Sequence, residues 1–125
     1  MEADRIKYRL GAAGLTSLTY IAAILAIVGV ESTWMDQRHA NHNNPFGLKE
    51  NDRLIRFDSD DNAISSWEKT FGDLVRGMQD PQQFFNTLQD QGHYDPGNAN
   101  WVPGMLNTYN SVVNWFLECV NSLKH

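Results

Sequence analysis

Apolar residues are densest between Ile21 and Val30, where "IAAILAIVGV" puts hydrophobic side chains on every face of a helix. A helix apolar all round is buried on all sides, so this segment predicts the axis of the fold. Thr16 or Ser17 can cap its start, and the pattern runs to about Trp34. Ahead of it, "EADRIKYRL" predicts a short helix stopped by Gly11 and Gly14. From Asp36 to Asn44 the chain turns to Asp, Gln, Arg, His and Asn, which predicts a polar loop. That loop closes in "NNPFG", where Pro45 and Gly47 enforce a defined path. "FGLKENDRLIRFD" predicts two short strands about a polar tip, "ENDR". Ser59 then caps a helix from about Asp60 to Arg76 with Ala63, Ile64, Trp67, Phe71, Leu74 and Val75 on one face and Gly77 as its stop. Asp80-Pro81 opens a further helix with Phe84, Phe85 and Leu88 inward, ended near Gly92. The loop "GHYDPGNAN" leads to a last helix from about Trp101 to Leu123. Five helices and one hairpin place the chain in the α+β class, mainly α.

Length and charge narrow the picture. A chain of 125 residues without internal repeat or linker is one domain, long enough to bury a core without disulfide or metal staples. The net charge of −5, with the ten basic residues scattered, argues against a nucleic-acid partner. The 4 Trp, 4 Tyr and 6 Phe exceed what a minimal helical core needs, so some rings are expected to line a cleft. The single Cys119 lies in an apolar helical pattern and is expected to fill core. Ile21–Val30 is shorter than the roughly 20 residues a membrane span needs. No signal peptide is legible either, which suggests a module of a larger or otherwise exported protein.

Glu31 is the residue that invites chemistry. It ends the most apolar helix and projects over the face of Ile24, Ile27 and Val28. A carboxyl held against apolar side chains has its charged form disfavoured, so its pKa rises. It can then stay protonated near neutral pH and donate a proton to a leaving oxygen. The alternative is that the helix surfaces at Glu31 and the side chain is simply hydrated.

The residues after Glu31 sharpen this choice. The helix closes in Glu31-Ser32-Thr33-Trp34; then come the polar loop, "NNPFGLK" at 43–49, "RFDS" at 56–59 and a helix containing Ala63-Ile64. This order resembles the glucosaminidase family of bacterial cell-wall hydrolases, of the autolysin and flagellar-hydrolase type. The family closes a buried helix with Glu-Ser-Gly-Trp-Gly, continues with Asn-Asn-(Leu/Pro)-Phe-Gly-(Ile/Leu)-Lys, and opens the next helix with Phe-x-Ser-x-x-x-Ala-(Ile/Val). The likeness covers about residues 20 to 70, and "GHYDPGNANWVPGMLNTY" is similar more loosely to the family's Tyr-rich loop and final helix.

The resemblance implies a lysozyme-like fold, with a glutamate between a helical lobe and a small β-lobe. It implies cleavage of the β-1,4 bond after N-acetylglucosamine in peptidoglycan by a monomer, without metal or organic cofactor, outside the cytoplasm or at the wall. Glu31 is then the general acid, with Asn44 and Phe46 beside the sugar and Trp34 and Tyr94 as cleft aromatics. A second acidic residue is expected in the β-lobe, where Glu50 and Asp52 are candidates and Asp58 a weaker one. Inversion, retention and assistance by the substrate's acetamido group all stay open. Thr33 and Met35 depart from the family's glycines. A muramidase, or an inactive glycan- or partner-binding module on the same fold, are the alternatives. His39 and His42 lack a persuasive third metal ligand and are expected to be surface residues. Ser32 is expected to be a capping or hydrogen-bonding neighbour of Glu31, and Trp67 and Trp115 to anchor their helices; Trp101, at a loop edge, either stacks on a sugar face or anchors the last helix.

Overall fold

In the computed structural model, residues 18–123 are described. The helix expected over residues 2–10 and the caps Thr16 and Ser17 lie outside them. Helix α1 (Leu18–Glu31) is the axis. Every residue from Ala22 to Val28 is between 0 and 2% exposed, so the all-round apolar pattern does translate into all-round burial. The long C-terminal helix packs along it, with a shorter helix touching both.

Helix α1 stops at Glu31, three residues before Trp34 where the apolar pattern predicted its end. Ser32 still donates its N–H to the Val28 carbonyl at 3.0 Å, and its hydroxyl donates to the same carbonyl at 2.6 Å. That hydroxyl also accepts from the Met35 N–H at 3.0 Å and so takes the donor that would continue the ladder to Glu31. Thr33, Trp34 and Met35 then take φ of 52°, 55° and 59°, the left-handed region that favours glycine. Two of these, Thr33 and Met35, stand where the resembled family carries glycine. Met35 is buried, and the apolar area it removes from water offsets its backbone strain. Thr33 is exposed and gains no such offset.

The segment after this turn is not wholly loop, as its polarity suggested. Asp36 accepts from the His39 N–H and caps a short helix, α2 (Gln37–Asn41). Strands β1 (Lys49–Glu50) and β2 (Arg53–Leu54) pair antiparallel, Lys49 opposite Leu54 and Glu50 opposite Arg53. Asn51 and Asp52 between them both have positive φ, the signature of a two-residue type I′ turn.

Ser59 caps α3 (Asp60–Trp67) by accepting from the Asn62 N–H. The expected uninterrupted α-helix to Arg76 instead widens into a π-helical segment, Glu68–Gly72, before the last turn, α4 (Asp73–Val75). The carboxylate of Glu68 accepts from the Tyr20 hydroxyl of α1 and pairs with Arg76 at 3.0 Å, so the widened turn ties this helix to the axis. Asp80 caps α5 (Pro81–Asp90), which buries Phe84, Phe85 and Leu88 completely. Helix α6 (Trp101–Leu123) has the bounds its pattern predicted. Its final turns nevertheless run past the core: Leu117 is 55% and Val120 49% exposed, and Cys119 is exposed rather than a core filler. The fold is thus mainly helical with one small antiparallel sheet. Among the described residues no helix is long and apolar enough to cross a membrane.

Candidate active site

The loop from Asn43 to Lys49 brings the end of α1 and the hairpin together. Asn44 is fully buried and uses its whole amide on the backbone. Its NH2 donates to the carbonyls of Leu48 and Ile55, both at 2.9 Å, and its Oδ1 accepts from the Leu48 N–H at 3.0 Å. That brace holds the two strand ends in place. Gly47 (φ 63°) lies directly on Glu31: a Cβ there would stand 2.5 Å from the Glu31 carbonyl oxygen. Only glycine allows both the dihedral and the approach.

This contact leaves an open cleft of about 500 Å³ with Glu31 in its wall. Phe46, Gly47, Leu48 and Lys49 line it from the loop and hairpin, Phe71 from the π-helical segment, and Gly92, His93, Tyr94 and Asp95 from the loop before α6. Behind these residues runs a continuous row of rings. Phe46 stacks on Trp67 at 5.7 Å, Trp67 meets Phe71 at 5.5 Å, Phe71 meets Tyr94 at 5.0 Å, and Tyr94 stacks on Trp101 at 5.3 Å. The Trp67 indole N–H donates to the Tyr94 hydroxyl at 3.3 Å. Burial pushes the Tyr94 hydroxyl pKa up, so it is a neutral donor and acceptor at any ordinary pH.

Glu31 is half-buried, and removal from water raises its pKa above the ordinary 4.5. The indole N–H of Trp101 donates to Glu31 Oε1 at 3.1 Å, which favours the carboxylate and limits the rise. The negative charge of Asp95 pushes the pKa up further, and the positive charge of Lys49 pulls it down less strongly. The arrangement is that of a carboxyl that can hold a proton and release it onto a nearby group.

Of the residues expected at the site, Glu31, Phe46 and Tyr94 come together in this cleft. Asn44 belongs to its framework rather than to its surface. Trp34 does not line it. Its indole lies flat on the bare backbone of Gly29, where a Cβ would fall 2.5 Å from the ring. Gly29 is two residues, about 200° of helical turn, from Glu31, so Trp34 covers the far side of α1. Glu50 and Asp52 sit on the exposed hairpin, and Glu50 lines a separate depression with Arg53 and Arg56. Asp58 is exposed and is likewise not among the cleft residues.

Three participants were not singled out from the sequence as site residues: Asp95, Lys49 and, in its contact with Glu31, Trp101. Asp95 follows Tyr94 directly, so the Tyr-rich loop was the signal that could have found it. Trp101 is 70 residues from Glu31, and no local pattern announces that pairing. Elsewhere, His39 Nδ1 lies 2.6 Å from Asp36 Oδ1 and His42 Nδ1 lies 2.7 Å from the Arg38 carbonyl oxygen. Among the described residues no group of three or more His, Cys, Asp or Glu side chains is disposed to hold a metal ion. Compared with known proteins, the chain matches no family model, no curated protein and no solved structure.

Proposed function

We propose that the protein is a glycoside hydrolase of lysozyme-like architecture that cuts the β-1,4 bond after N-acetylglucosamine in peptidoglycan, with Glu31 as its general acid. One observation carries the reading: a carboxyl at the end of the buried helix opens into a ring-walled cleft and is biased by burial toward its protonated form. A glycosidic oxygen leaves poorly unless it receives a proton as the C–O bond breaks, and such a carboxyl supplies one. The Trp101 indole N–H then stabilises the carboxylate left behind. Phe46, Phe71 and Tyr94 offer apolar surface to sugar faces, and the Tyr94 hydroxyl offers a hydrogen bond. Asn44 and Gly47 act indirectly, by holding the loop against Glu31. The substrate places the working protein outside the cytoplasm or at the cell wall.

The test is digestion of purified peptidoglycan by the protein and by Glu31→Gln, with mass spectrometry of borohydride-reduced products. New N-acetylglucosaminitol ends, absent with the variant, are expected. Muramitol ends would keep Glu31 as the acid but make the enzyme a muramidase. Glycan binding without turnover, unchanged in Glu31→Gln, would mark an inactive binding module and overturn the proposal.

A further inference from the structure

We infer that Asp95, and not an acid of the hairpin, is the second carboxylate of this site and activates the attacking water. The inference rests on the proposed glycosidase reading. Asp95 is the other carboxylate lining the cleft that holds Glu31, whereas Glu50 and Asp52 stand on the exposed hairpin outside it. The loop that presents Asp95 is built rather than slack. His93 and Asp95 take φ of 56° and 44°, and non-glycine backbone in this left-handed region concentrates where function requires a defined pose. Gln89 Nε2 donates to the Asp95 carbonyl at 2.9 Å, and Asn98 Nδ2 donates to Asp95 Oδ2 at 2.7 Å. Those bonds orient the carboxylate while leaving Oδ1, which has no hydrogen-bond partner among the described residues, for a water. The charge of Asp95 also helps hold the proton on Glu31, so the two carboxyls divide the roles of base and acid.

In the step this implies, water's oxygen bonds to the anomeric carbon as Asp95 Oδ1 takes one of its protons. The electron pair of the breaking C–O bond goes to the leaving oxygen, which receives the Glu31 proton. Water is consumed and two hydroxyl ends are produced. Glu31 ends ionised and Asp95 protonated, and solvent exchange resets both. The configuration at the anomeric carbon is inverted.

The experiment compares wild type, Glu31→Gln, Asp95→Asn and Asp95→Ala on soluble peptidoglycan fragments. It measures rate against pH, reads the first-formed anomer by proton NMR, and adds azide to Asp95→Ala. Thermal unfolding of each variant reports whether it folds. Loss of about 10²–10⁴-fold in kcat is expected for Asp95→Asn, within the span that general-base catalysis supplies. Wild type should give the inverted anomer, and azide should restore turnover of Asp95→Ala by forming an inverted glycosyl azide. The groups facing Glu31 in the cleft are Lys49 on β1 and His93, Tyr94 and Asp95 on the loop before α6. Among them Asp95 raises the Glu31 pKa, so the residual activity of Asp95→Asn should lose its alkaline limb at lower pH than wild type. A role confined to holding the loop would not move that limb. Retention by wild type, undiminished activity of Asp95→Asn, or inactive Asp95→Ala that azide fails to restore would each overturn the inference and leave Glu31 as the acid. A wild type that releases no new reducing ends would overturn the glycosidase reading and this inference together.

Discussion

At Glu31 two pairs of influences oppose each other: burial and the Asp95 charge favour the acid form, while the Trp101 indole and Lys49 favour the carboxylate. Burial is the largest of the four, which has a consequence for stability. A carboxyl whose folded pKa is raised binds more protons in the native than in the unfolded state, so stability falls as pH rises from about 4.5 through the folded pKa. Glu31→Gln keeps the shape and the acceptor oxygen but carries no charge. It should therefore unfold at a higher temperature than wild type at pH 7, by on the order of 3 °C, and the difference should vanish below pH 4.5. Thermal scans across pH 4 to 8 measure this; equal melting at pH 7 would mean that burial does not strain the charged form. Trp101→Phe keeps a ring against Tyr94 but removes the donor to Glu31. The Glu31 pKa should then rise further, as followed by carbon-13 NMR titration of labelled glutamate.

Among the elements, the turn from Ser32 to Met35 is where backbone geometry and side-chain identity disagree most. Thr33 is β-branched, exposed and at φ 52°, so Thr33→Gly should stabilise the fold by about 1 kcal/mol in urea unfolding. Met35→Gly relieves the same strain (φ 59°) yet empties a buried site, and should destabilise by about 1–3 kcal/mol. Opposite signs at neighbouring positions separate strain from packing. Gly47 is the reverse case. Gly47→Ala adds a methyl 2.5 Å from the Glu31 carbonyl oxygen at a positive φ, and should cost about 2–4 kcal/mol and shift the Glu31 NMR signals. These elements were unequally legible. Ser59 and Asp80 announced their helices because a cap is a local hydrogen bond between neighbours. The π-helical widening at Glu68–Gly72 was not announced, because it accompanies a bond between Tyr20 and Glu68, 48 residues apart.

Across the whole molecule, α1 is enclosed by its neighbours while the final turns of α6 stand clear of them. The pattern "NWFLECVNSL" suggested that Cys119 is core, since helical periodicity shows a face without showing whether anything covers it. The exposed thiol should react at stoichiometric level with an aromatic disulfide reagent in the native protein, without denaturant. Protection until unfolding would show that this part of α6 is covered in solution.

The sequence by itself determined the features that depend on neighbours along the chain. They are the all-apolar axis, the caps Ser59 and Asp80, a hairpin about the polar tip "ENDR", the glycine at position 47 and the placement of Glu31 near the end of the buried helix. Each rests on helical or strand periodicity or on a dihedral only certain residues tolerate. Only the tertiary structure decided which groups meet Glu31: the Trp101 indole from 70 residues away, Asp95 and Lys49 as opposing charges, and the exclusion of Trp34 to the far side of α1. A carboxyl's pKa and reach depend on the dielectric and the charges around it, and folding sets both by bringing distant segments to one place.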